Sequence, residues 1–170
     1  MHIAHRGLYV VMGVSGSGKS LIGGALAREL GVAFVEGDEY HSPENVTRMA
    51  SGTPLSDDDR AAWLRSLAAV IREADAAETG LVVACSALKR SYRDILRAET
   101  RRLRFVFLRG SRALITERLA GRRGHFMPPS QLDNQFAILE EPSSDEHAWV
   151  CDISESPDDL VAGLVGRAPT

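Results

Sequence analysis

The stretch GVSGSGKS, residues 13–20, follows the apolar run LYVVM, residues 8–12. Its Gly13, Gly18, Lys19 and Ser20 satisfy G-x-x-x-x-G-K-[ST], a spacing that cradles phosphates. Glycines without side-chain bulk let backbone N–H groups of Ser15, Gly16, Ser17 and Gly18 turn inward on an anion. The helix that follows adds unpaired N–H groups and the positive end of its dipole. Lys19 supplies a mobile cation for the outer phosphates, and the Ser20 hydroxyl suits the shell of a Mg²⁺ ion. Context agrees with spacing. LYVVM reads as a buried strand, and residues 21–30 read as a helix with Ile22, Ala25, Leu26 and Leu30 on one face.

Working outward, further strand-like runs lie at 33–37, 81–86, 104–109 and 147–153. Short runs of Val, Phe and Ile without alternation suit strands buried on both faces of a parallel sheet. Helical patterns fall between them, at 57–77, 89–99, 112–119 and 130–139, with a last one opening near Pro157. Ser56 to Asp59 reads as a capping box and Gly31 as a C-cap. Alternating strand and helix predicts a doubly wound α/β fold with five parallel strands in a single domain spanning residues 1–170.

Two polar excursions interrupt this rhythm, at about 38–60 and about 119–129. Long excursions at the carboxyl ends of strands are where open α/β sheets bind ligands. The first begins with Glu36-Gly37-Asp38 and His41. Asp38 can take the proton of an attacking hydroxyl, and Glu36 can hold Mg²⁺ through water. In CSALKRSYRD (85–94), Ser86, Lys89 and Arg93 suit a carboxylate or polyol. Lys89 and Arg93 lie four apart, a like-charge spacing that favours an intervening anion. The second excursion carries Arg118, Arg122 and His125, as a flap closing over a nucleotide would; Gln135 offers a further polar contact.

The bulk properties exclude several classes. The chain has 170 residues, 44% of them hydrophobic and 25% charged, with a net charge of −3. That balance argues against a nucleic-acid surface, and no apolar run approaches a membrane span. The start, MHIAHRGLYVV, has no signal-peptide pattern, and two cysteines, Cys85 and Cys151, read as reduced core thiols. A cytoplasmic enzyme is expected.

Together MGVSGSGKS, EGDEYHSPENVTRMASGTPLSDDDRAAWL, CSALKRSYRDILR and GRRGHF resemble the small P-loop gluconate kinases, relatives of shikimate and nucleoside monophosphate kinases. The similarity runs from about Tyr9 to Pro142. It implies ATP- and Mg²⁺-dependent phosphorylation of D-gluconate at the 6-hydroxyl, a short lid and a homodimer. It assigns Gly16, Gly18, Lys19 and Ser20 to ATP and magnesium, and Asp38 to the base. Arg48, Arg60, Lys89, Arg93 and His125 fall on the acceptor side, and Arg118 and Arg122 in the lid. Position 36 departs from the pattern, with Glu where many relatives carry Asp. Another acceptor, such as shikimate, and a nucleotide-dependent switch are the competing readings. A switch would need an Asn-Lys-x-Asp guanine signature, which the chain lacks.

Overall fold

A computed structural model describes residues 5–122 and 129–169. Strands β1 (Leu8–Met12), β2 (Ala33–Glu36), β3 (Leu81–Ala84), β4 (Leu103–Arg109) and β5 (Trp149–Asp152) form one parallel sheet ordered β2-β3-β1-β4-β5. Around it lie α1 (Lys19–Leu30), α2 (Pro43–Ala50), α3 (Asp57–Ala76), α4 (Arg90–Arg97), α5 (Arg112–Ala120), α6 (Pro129–Ile138) and α7 (Pro157–Arg167). The doubly wound, five-stranded expectation is met.

β1 explains why its sequence does not alternate. Leu8, Val10 and Met12 pack with Leu64, Leu67 and Ile71 of α3 and with Tyr92 and Leu96 of α4. Tyr9 and Val11 pack on the other face with Leu26 of α1, Ile115 of α5, Leu132 of α6 and Leu164 of α7. Both faces are dry, so every position is apolar. Because β1 lies between β3 and β4, the winding reverses beside it, and a crevice opens at its carboxyl end.

The helix ends follow local chemistry. The Ser56 hydroxyl accepts from Asp59 N while the Asp59 carboxylate accepts from Ser56 N, the expected capping box. Gly31 ends α1 at φ 69°. Two boundaries differ usefully from the sequence reading. Helix α1 starts at Lys19 rather than 21, so Lys19 and Ser20 occupy its first turn. Helix α4 starts at Arg90, leaving Lys89 extended in front of it.

A buried ion pair joins distant segments. Arg93 is fully buried, donating from Nε to Glu146 Oε1 at 2.7 Å and from Nη2 to Glu146 Oε2 at 3.0 Å. Arg97 donates to the same carboxylate. Burial pushes the Glu146 carboxyl up, but hydrogen bonds from Arg93, Arg97 and Ser143 N outweigh it and hold the pKa at about 2. A depressed carboxylate stabilises the fold above its unfolded value of 4.5 and loses that contribution as pH falls from 4.5 towards 2. Glu146→Gln leaves Arg93 buried without a counter-charge and should cost about 3–5 kcal/mol at pH 7. Urea unfolding should show the gap between wild type and variant shrinking from pH 7 to pH 3. A gap of constant size would contradict the linkage.

Candidate active site

The loop from Gly13 to Ser20 leaves β1 and is gripped from both sides. Gly13 N donates to Ser86 O at 3.3 Å, tying the loop to the end of β3. Gly16 lies at φ 82°, and a Cβ there would fall 2.8 Å from Leu119 on α5. Glycine is therefore required by both conformation and space. Ser17 is 1% exposed, and its Oγ has no hydrogen-bond partner, a buried polar atom within a loop shaped for an anion.

Lys19 folds back along the loop, its Nζ donating to Val14 O at 3.0 Å. Burial pushes its ammonium pKa down, countered by the charges of Asp38, Cys85 and Glu36, while Arg122 adds to the lowering. A partly dehydrated cation beside a neutral carbonyl is primed for a stronger partner, which a phosphate supplies. Lys19 therefore feels the carboxylates of Asp38 and Glu36 and the guanidinium of Arg122.

Ser20 donates to the Glu36 carboxylate, joining the first turn of α1 to the end of β2. One hydroxyl and one carboxylate are hard oxygen donors, and they fit a Mg²⁺ ion that takes its other oxygens from phosphates and water. Among the described residues no group of three His, Cys, Asp or Glu could hold a metal unaided.

The opposite wall begins with a 3₁₀ turn, Gly37–Tyr40, that carries Asp38. Gly37 is pressed on β3: a Cβ there would fall 2.4 Å from Ala84 O. Trp63 of α3 holds the turn, its Nε1 donating to Gly37 O at 2.8 Å, and its ring stacks on His41 with centroids 4.1 Å apart. Burial lowers the His41 pKa, Arg60 adds to the lowering and Asp38 partly offsets it, which favours the uncharged ring. Further along, Arg60 and Lys89 lie over the Tyr92 ring at 5.9 and 5.5 Å. Tyr92 donates to Asp57 Oδ1 at 2.8 Å, and Lys89 Nζ reaches the same oxygen at 3.5 Å. Two cations thus meet at one aromatic ring, where Arg60 also donates to the Tyr92 hydroxyl at 3.3 Å, with the exposed Asp57 carboxylate beside them.

Several expected contacts are placed differently. Arg93 does not face the acceptor space. Besides Glu146 it donates to Ala87 O at 2.9 Å and Leu88 O at 3.3 Å, holding the turn in which Ala87 takes a left-handed φ of 46°. The spacing argument for Lys89 and Arg93 fails because Lys89 precedes the helix and Arg93 turns into the core. Gln135 meets the phosphate loop, not the acceptor wall. Arg48 is paired with Asp59 at 2.7 Å, so it braces the capping box of α3. Arg118 donates to Ile153 O, beyond β5. Ser86 contributes its carbonyl to Gly13. His125, and residues 123–128 of the expected lid, lie outside the described residues. The sequence reading missed Trp63, Tyr92 and Glu146, whose roles depend on partners far along the chain.

Comparison with known proteins agrees with this geometry. A model of the shikimate kinase family matches residues 15–159. The thermoresistant gluconokinase of Escherichia coli K12 is 42% identical over 159 residues, covering 93% of this chain and 91% of that one. The gluconokinase of Gluconobacter oxydans is 45% identical over 156 residues, covering 92% and 88%. A solved gluconokinase from Sinorhizobium meliloti superposes with a TM-score of 0.86 at 45% identity, over 97% of this chain and 95% of that one. A shikimate kinase from Aquifex aeolicus, 17% identical with a TM-score of 0.60 over 93% of each chain, shares the fold alone. Identity at the level of the first three, over nearly the whole of both chains, places this protein in the gluconokinase family, on the shikimate kinase pattern.

Proposed function

We propose that the protein transfers the γ-phosphoryl group of ATP to the 6-hydroxyl of D-gluconate, giving 6-phospho-D-gluconate and ADP for the pentose phosphate pathway. One observation carries the reading: Arg60 and Lys89 meet at the Tyr92 ring, and Trp63 of the same helix as Arg60 stacks on His41 and holds the turn that carries Asp38. The paired cations suit the carboxylate end of a sugar acid. Neutral His41, with hydrogen-bonding nitrogens, suits a chain of hydroxyls.

In this reading the phosphate loop holds ATP through its backbone N–H groups, with Lys19 leaving Val14 O for the outer phosphates. Asp38 orients the acceptor hydroxyl and receives its proton as oxygen bonds to the γ-phosphorus and the bond to ADP breaks. Ser20 and, through water, Glu36 would hold Mg²⁺, which would supply positive charge against the phosphates. Arg122, whose charge Lys19 feels, adds positive charge on the lid side. Arg118, which donates to Ile153 O, would have to leave that carbonyl to reach the nucleotide.

The reading extends to a cytoplasmic homodimer, which the family resemblance supports. Among the described residues no helix is long and apolar enough to cross a membrane. The deciding experiment is a coupled ADP-release assay over a panel of sugar acids together with shikimate. Gluconate should give by far the highest kcat/KM. Equal turnover of shikimate, or none of gluconate, would overturn the acceptor assignment and leave the phosphate loop standing.

A further inference from the structure

Gln135 lies on α6, 120 residues from Ser15, yet both ends of its amide meet that one residue. Ser15 N donates to Gln135 Oε1 at 2.7 Å, and Gln135 Nε2 approaches Ser15 Oγ at 3.0 Å. The backbone N–H can only donate, which fixes Oε1 as its partner and turns the NH₂ group to the hydroxyl. The Ser15 oxygen therefore accepts from Gln135, and its own proton remains for another acceptor. In a loop built for an anion, the incoming acceptor is a phosphate oxygen.

The loop is held from two helices at adjacent residues. Gly16 sits against Leu119 and Ile115 of α5, while Ser15 is held by α6. Position 135 is half-buried, and the Ser15 N–H that it engages is withdrawn from the donors left for ATP. That division matters because donors aimed in advance cost no reorganisation when the anion arrives.

We propose that Gln135 is a positioning residue for the nucleotide: it fixes the Ser15 peptide and leaves the Ser15 hydroxyl as a phosphate donor. The inference rests on the kinase reading of the loop but not on the identity of the acceptor. It is tested by titration calorimetry with a non-hydrolysable ATP analogue and no sugar acid, so a wrong acceptor assignment leaves the result unmoved.

Gln135→Met keeps length and volume but neither hydrogen bond. Affinity for the analogue should fall about tenfold, the cost of ordering on binding a Ser15 donor that is no longer aimed in advance. Gln135→Glu is the sharper variant. It still accepts from Ser15 N, so its melting temperature should lie nearer wild type than that of Gln135→Met. Its second oxygen takes the Ser15 proton and puts negative charge beside the phosphates, so it should bind the analogue more weakly than Gln135→Met. A residue that merely packs α6 onto the loop gives the opposite binding order, or lower melting temperatures with unchanged affinity. Either result overturns the proposal.

Ser15→Ala completes a double-mutant cycle. The losses in Ser15→Ala and Gln135→Met should overlap, so the double variant binds more tightly than their product requires. Independent effects, multiplying to within about twofold, would show that Gln135 does not act through Ser15.

Discussion

Lys19→Ala should lower turnover by roughly 10²–10³-fold even at saturating ATP, the loss seen when one preorganised charge partner of a transition state is removed. The loop GVSGSGKS holds this one cation, and Lys19 already feels the charges of Asp38, Glu36 and Arg122. Analogue affinity should fall too, but less than turnover, because charge on the transferring group is greatest in the transition state. The unliganded variant should melt no lower than wild type. The Lys19 ammonium is partly dehydrated and, among the described residues, hydrogen-bonded to Val14 O alone, so removing it relieves a desolvation cost. A folded variant with near wild-type turnover would show that the loop does not hold the transferred phosphate.

Asp38→Asn tests the opposite wall. The amide keeps the shape of the carboxylate but cannot take a proton. General-base catalysis is worth roughly 10²–10⁴-fold, and turnover should fall within that range while ATP-analogue affinity stays within about twofold. A loose transition state that needs its base only late would put the loss at the lower end. Glu36→Gln should behave differently. It touches Ser20, and added Mg²⁺ should restore part of its activity if Glu36 works through the metal's water shell. Asp38→Asn with most of its activity intact would reduce Asp38 to an orienting contact.

The parts of this site that could be read from sequence are those whose chemistry is local. The capping box of Ser56 closes on Asp59 three residues on, and the phosphate loop and the Gly37-Asp38 turn announce themselves by the order of their own glycines and charged residues. Their spacing alone specifies backbone shape. Arg93 could not be read in this way. Four residues after Lys89, it looked like half of a cationic face, but its partner Glu146 is 53 residues away and the pair is dry. Gln135 failed for the same reason, with its partner 120 residues distant. Tyr92 drew no reading of its own from the sequence, and its task of carrying two cations on one ring depends on α3 and α4 meeting. The fold class was legible because burial on both sheet faces writes itself as unbroken apolar runs. Which charged residue turns inward is decided by tertiary pairing.

The strand order also bears on how the chain comes to life on the ribosome. β1 is complete by Met12, yet its neighbours are β3, in register Leu8 to Leu81, and β4, in register Leu8 to Leu103. A nascent chain displaying GVSGSGKS therefore has the letters of a nucleotide site without the site. Its flanking strands, the α5 surface behind Gly16 and the amide of Gln135 are made tens of residues later. Closing such long loops is slow, because their entropy is lost before any contact repays it. ATP cannot act as an early template for folding here; it meets a finished cradle only after most of the polypeptide has been synthesised.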